Sequence, residues 1–163
     1  MIDLQELYQI QQLAERFRHA IEDAQEAREF VNHPPLRYFP RGCCEVASDL
    51  LAEYLRENGI DTYGVFGEWR DDENYDVDPH EWLVLSDDTS VIIDITCDQF
   101  KCNPRFYRFS QYCIPAHVGP INELYKMFEI VDPHRNTGIN YGTEYSKQSL
   151  HCFYEIIREY LKE

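Results

Sequence analysis

The chain has 163 residues, 44% of them apolar and 14% aromatic, enough for one hydrophobic core and too rich in rings for a disordered segment. Thirty acidic residues against fifteen basic ones give a net charge of −15. That balance excludes an electrostatic grip on nucleic acid or an anionic membrane and leaves room for a cationic peptide or protein partner, although solubility alone would also account for it.

No apolar run approaches the roughly 18–20 residues that cross a bilayer, and no basic region precedes an apolar one at Met1 to Leu13. The expectation is therefore a cytoplasmic protein. The six cysteines, at 43, 44, 97, 102, 113 and 152, then read mainly as thiols. A single domain over residues 1–163 is expected, with an N-terminal helix in 1–33, a core in 42–100, and a C-terminal strand and helices in 101–163.

Residues 3 to 31 read as a long amphipathic helix, because Leu4, Leu7, Ile10, Leu13, Phe17, Ile21 and Ala24 recur at steps of three and four. Asp3 followed by Glu6 has the pattern of a capping box. Pro34 and Pro35 end the helix. A second helix is expected at about 43 to 57, burying Val46, Ala47, Leu50, Leu51, Tyr54 and Leu55 and stopped by Asn58-Gly59. Strands are expected at 62–69, 80–85 and 90–96, with an acidic loop from Arg70 to Pro79. Beyond them, 106–114 reads as a strand, 121–128 as a short helix, 137–143 as a loop and 144–161 as a third long helix. Helices flanking consecutive strands define an α+β fold, with a helix packed on an antiparallel sheet.

The chemistry concentrates on three residues. Cys44 follows Arg41-Gly42-Cys43 at a helix start, where unpaired N–H groups favour an anion and could hold a developing oxyanion. Gly42 permits a sharp turn just ahead of it. Cys43 competes for the nucleophile role, about 100° away around the helix. If Ser86-Asp87-Asp88 is a three-residue loop, with Asp88 in the left-handed region, Leu85 pairs with Thr89, Trp82 faces Ile92 and His80 faces Asp94. Opposed residues lie about 5 Å apart on one face, so Asp94 would fix the His80 tautomer and leave the other nitrogen for a thiol.

Each residue also has a plainer reading. Cys44 could be a small buried hydrophobe, His80 a satisfied strand-edge histidine, and Asp94 a capping carboxylate. Asp94, however, lies within Val91-Ile92-Ile93-Asp94-Ile95, where a charge needs a partner. The three together are more specific than any one.

The spacing of Gly42-Cys43-Cys44, Leu50-Leu51, Asn58-Gly59-Ile60, His80-Glu81-Trp82 and Asp94-Ile95-Thr96 resembles the transglutaminase-like branch of the papain-like superfamily. The segment Ile93 to Phe100 is similar to bacterial proteins of unassigned function that carry IDIT-x-DQF. The resemblance implies Cys44 as nucleophile, His80 as general base and acid, and Asp94 as orienting carboxylate. Gly42, Cys43, Trp82 and Thr96 would support them, in a papain/transglutaminase-like core without a cofactor. It supplies no oxyanion-hole side chain, for which Tyr38 or a backbone N–H near Cys44 is a candidate.

Three functions follow: a cysteine hydrolase acting on a peptide or protein amide (peptidase, amidase or glutamine deamidase), an acyltransferase using the same thioester, and a catalytically silent interaction module. No metal is expected, because Cys97-x₄-Cys102 with Cys43-Cys44 lacks zinc-ligand spacing and the acidic loop lacks an EF-hand's glycine and terminal glutamate.

Overall fold

The computed structural model describes residues 2–161. Positions 1, 162 and 163, counted in the single-domain expectation, lie outside the described residues. The first helix, α1 (Leu4–Glu26), opens with the expected capping box: Asp3 accepts from the Glu6 N–H while Glu6 accepts from the Asp3 N–H. It ends five residues short of the expected boundary. Arg28 then takes a left-handed φ of 66°, and a short helix α2 (Pro34–Arg37) uses the proline pair at its first positions, where no amide hydrogen is needed.

Gly42, at φ 67°, turns the chain into α3 (Cys44–Glu57), and Gly59, at φ 80°, ends it as the sequence indicates. A Cβ at Gly42 would meet nothing within 4 Å, so the demand for glycine there is conformational. The strands β1 (Thr62–Asp71), β2 (Asp76–Leu85) and β3 (Val91–Asp94) follow. The expected acidic loop is mostly strand, and only the four residues from Asp72 to Tyr75 turn the β1–β2 hairpin. Tyr75 carries the positive φ this tight connection requires.

The last two strands, β4 (His117–Pro120) and β5 (Glu129–Arg135), complete an antiparallel sheet in the order β4-β3-β2-β1-β5. The fold is thus α+β. α3 packs on β1 and β2, and α1 and α4 (Glu144–Leu161) pack around it. Leu50, Leu51 and Leu55 of α3 are fully buried against Leu83 and Ile93, each contributing about 1.5–3 kcal/mol of apolar burial. Among the described residues no helix is long and apolar enough to cross a membrane.

Two expectations fail between residues 104 and 128. The supposed strand 106–114 is a 3₁₀ helix, Pro104–Tyr112, whose first turn is capped by Asn103 Oδ1 accepting from the Arg105 N–H. The supposed helix 121–128 contains only a 3₁₀ turn, Tyr125–Met127. With a third 3₁₀ helix, Cys97–Phe100, these segments cover the sheet face opposite the α-helices, where Trp82, Val84 and Ile92 meet Phe100, Phe106, Tyr125 and Phe128.

The register of β3 also differs from expectation. Leu83 pairs with Ile93 and Val84 with Ile92, which continues to place Trp82, not His80, opposite Asp94. The connection is longer than three residues, because the Asp88 side chain accepts from the Ser90 N–H and hydroxyl, and its carbonyl accepts from the Val91 N–H. Asp88 does not adopt a positive φ. The slip is two residues, so the side chains keep their face and His80 meets Asp94 diagonally.

Candidate active site

Asp94 ends β3 with both carboxylate oxygens occupied. Oδ1 accepts from the Thr96 N–H at 2.9 Å and the Thr96 hydroxyl at 3.3 Å. Oδ2 accepts from the Tyr125 hydroxyl at 2.8 Å and from His80 Nε2 at 2.7 Å. Burial pushes this carboxyl upward, but the His80 charge and the donors from His80, Thr96 and Tyr125 outweigh it and hold its pKa below the usual value.

His80 is fully buried between Trp82 and Phe128, with ring centroids 5.5 Å away in each case, and against the edge of Phe100 at 4.8 Å. Such burial alone would lower its pKa. The Asp94 charge and hydrogen bond, followed by a hydrogen bond and charge interaction with Cys44, raise it instead to about 9. A carboxylate only accepts, so Nε2 carries a hydrogen and Nδ1 is the nitrogen left for the thiol.

The two adjacent cysteines separate cleanly. Cys43 is the N-cap of α3, 2% exposed, and burial followed by the neighbouring Cys44 pushes its thiol up to about 12. Cys44 is the first helical residue and is half-buried. No side-chain acceptor caps α3, so its first-turn N–H groups are available to an anion beside that sulfur.

Two contributors escaped the sequence reading. The Gln99 side-chain amide lies 3.4 Å from His80 Nδ1, on the thiol side of the ring. It is held there because its neighbour Asp98 makes a two-pronged pair with Arg18 of α1, at 2.7 and 2.8 Å. Arg18 is 6% exposed and also donates to the Ile95 carbonyl at 2.7 Å. The Asp98-Gln99 pair therefore divides into an anchor and a site residue. The other contributor is Tyr125, whose hydroxyl reaches Asp94 from the 3₁₀ turn that stands where a short helix was expected. Burial, then the Asp94 charge, lifts its pKa well above the usual value. Tyr38, the expected oxyanion candidate, is 68% exposed and lies under the Arg37 guanidinium.

On the other side of β2, Glu81 and Asp49 share Arg135, and Asp49 also accepts from the Gly138 N–H at 3.2 Å. A cavity of about 500 Å³ opens there, lined by Glu45, Asp49, Arg135, Tyr145 and Phe153 among others. Neither Cys44 nor His80 lines it. Among the described residues no group of three or more histidine, cysteine or acidic side chains could hold a metal ion. Cys97 is buried while Cys102 is exposed.

The helix-borne thiol, buried ring and four-donor carboxylate define an α+β protein with a candidate thiol site. Comparison with known proteins gives two relatives, both called "Uncharacterized protein YuaU". The chain is 36% identical over 85 residues to the one from Escherichia coli strain UTI89 / UPEC, and 35% identical over 85 residues to the one from strain K12. Each match covers 52% of this chain and 38% of the relative, so the chain spans well under two thirds of these proteins' length. No family model and no solved structure matches the chain.

Proposed function

We propose that this chain is a cysteine hydrolase with a papain/transglutaminase-like core, acting on an amide bond of a peptide or protein. One observation carries the reading: Asp94 holds His80 through Nε2 at 2.7 Å, and Cys44 interacts with the same ring. In this reading Cys44 passes its proton to Nδ1 and attacks the substrate carbonyl. The first-turn N–H groups of α3 and the Gln99 amide donate to the tetrahedral oxyanion. His80 then gives its proton to the leaving nitrogen, and water, deprotonated by the same ring, releases the acyl group.

A solvated thiol on a helix would need neither a fully buried histidine nor a carboxylate with four donors. Burying both has a desolvation cost that the His80–Asp94 pair and the donors from Thr96 and Tyr125 offset, and the result is the oriented, strongly shifted ring that a catalytic thiol needs beside it. The acidic surface favours substrates with basic segments.

The test is turnover of glutamine-containing and basic peptides, read as released ammonia or free amine. Wild-type protein should release product and the Cys44→Ala variant none. Incorporation of a labelled primary amine instead of water would reassign the reaction to acyl transfer. Equal turnover or equal biological activity in Cys44→Ala would overturn the thiol mechanism.

A further inference from the structure

Behind Asp94 lie two thiols that the chemistry above leaves unused. Cys97 opens the 3₁₀ helix after Thr96, and Cys113 directly follows the longer 3₁₀ helix ending at Tyr112. Their exposures are 0% and 3%. The Cys97 thiol donates to the Tyr112 carbonyl at 3.2 Å, and the Cys113 thiol to the Phe109 carbonyl at 3.6 Å. Tyr112 is bonded to Cys113, so the Cys97 sulfur packs against the backbone that carries Cys113, and both side chains sit in one apolar cluster.

Isolated buried cysteines act as small hydrophobes. Here each sulfur has another sulfur as neighbour, and the chain between them is pinned next to Cys97 and again at its midpoint. Arg18 holds Asp98, and Arg105 donates to Asp76 and Asp78 at the tip of the β1–β2 hairpin. Chain entropy therefore opposes a cross-link only weakly.

We propose that Cys97 and Cys113 form a reversible disulfide when the protein meets a peroxide. The Cys113 sulfur, as thiolate, attacks one oxygen of hydrogen peroxide, breaking the O–O bond and giving a sulfenic acid and hydroxide, which leaves as water after taking up the thiol's proton. The Cys97 sulfur then attacks the sulfenic sulfur, forming the S–S bond and expelling a second hydroxide, which takes the Cys97 proton. Two thiols and one peroxide thus become one disulfide and two waters. The hydrogen bond between the sulfurs lowers the Cys113 pKa and raises that of Cys97, which assigns the attacking and resolving roles in that order.

Cys97 follows Thr96, whose N–H and hydroxyl hold Asp94, so the cross-link acts on the carboxylate's support. Slower alkylation of Cys44 after oxidation rests on the function proposed above. The cross-link itself does not.

The test treats the full chain with hydrogen peroxide, quenches, unfolds it, blocks free thiols with iodoacetamide and maps the peptides. A Cys97–Cys113 linked peptide, cleaved by dithiothreitol and absent in Cys113→Ser, is expected. Alkylation of both residues after unfolding, with oxidation confined to Cys44, Cys102 or Cys152, would overturn the proposal. Wild-type mapping alone decides between these results, so the folding of the variant does not matter.

Discussion

On one face of the sheet, α1, α3 and α4 bury aliphatic rows around Leu83 and Ile93. On the other, three 3₁₀ segments wrap Trp82, Phe100, Phe106, Tyr125 and Phe128 around His80 and Asp94. The helical face makes its stability from many interchangeable apolar contacts, and its buried carboxylates are compensated in place, as Glu81 and Asp49 are by Arg135. The 3₁₀ face spends its packing on holding one polar pair in one orientation. The helical face should therefore respond to substitution mainly in stability, and the 3₁₀ face mainly in reactivity.

The sharpest way to break this contrast is Asp94→Asn, which keeps the shape but donates where a carboxylate accepted. It should lower the rate of acyl-enzyme formation at Cys44 by about 10³–10⁴-fold, read by single-turnover kinetics, because the ring would settle in the wrong tautomer. A loss of folding with no loss of rate in the folded fraction would place Asp94 with the structural charges. Arg18→Ala strikes the strut joining the two faces and leaves Asp98 without its partner. Urea unfolding should show about 3–5 kcal/mol of destabilisation, and Cys44 reactivity should fall in the remaining folded protein as Gln99 loses its anchor.

Glu81 sharpens the helical side. Burial lifts its pKa from 4.5 to about 7 against the opposing pull of Arg135, with Glu45 and Asp49 adding to the rise. A carboxyl whose folded pKa exceeds its unfolded one stabilises fully below the unfolded value and loses that contribution as pH rises through the folded value. Wild-type stability relative to Glu81→Gln should therefore fall by roughly 1–3 kcal/mol between about pH 4.5 and 7, measured by urea unfolding across pH. Tyr125→Phe removes one of the four donors to Asp94 and no ring surface. Its expected cost is about 1 kcal/mol in stability, with a small shift in the pH profile of Cys44 alkylation and no loss of fold.

The two faces were also unequally legible. α1, α3 and α4 follow from apolar residues at helical spacing, from the Asp3–Glu6 cap and from Gly59. The 3₁₀ face was misread where rings crowd together. Phe106, Phe109 and Tyr112 face the core while Tyr107 is 59% exposed, a spacing of three that belongs to the 3₁₀ helix and could have signalled it. β5 escaped because Asp132 and Pro133 lie inside it, residues an edge strand tolerates and a central one does not.

Cys44, His80 and Asp94 were visible as residue types on elements of the right kind. The register that joins His80 to Asp94 was not, since it depends on how Asp88 and Ser90 build their turn. Arg18 and Tyr125 reach the site through contacts across long stretches of sequence that no local pattern records, while Gln99 lies in the Ile93 to Phe100 segment, whose pattern does not show that its amide meets His80.

Site-resolved alkylation by iodoacetamide at neutral pH puts the thiol, ring and carboxylate arrangement to the most direct trial, because Cys102 and Cys152 are exposed and serve as internal references. Half-buried Cys44 should react faster than both, and His80→Gln should remove that advantage. A Cys44 that reacts no faster than the two surface thiols, or keeps its rate without the ring, would contradict the account.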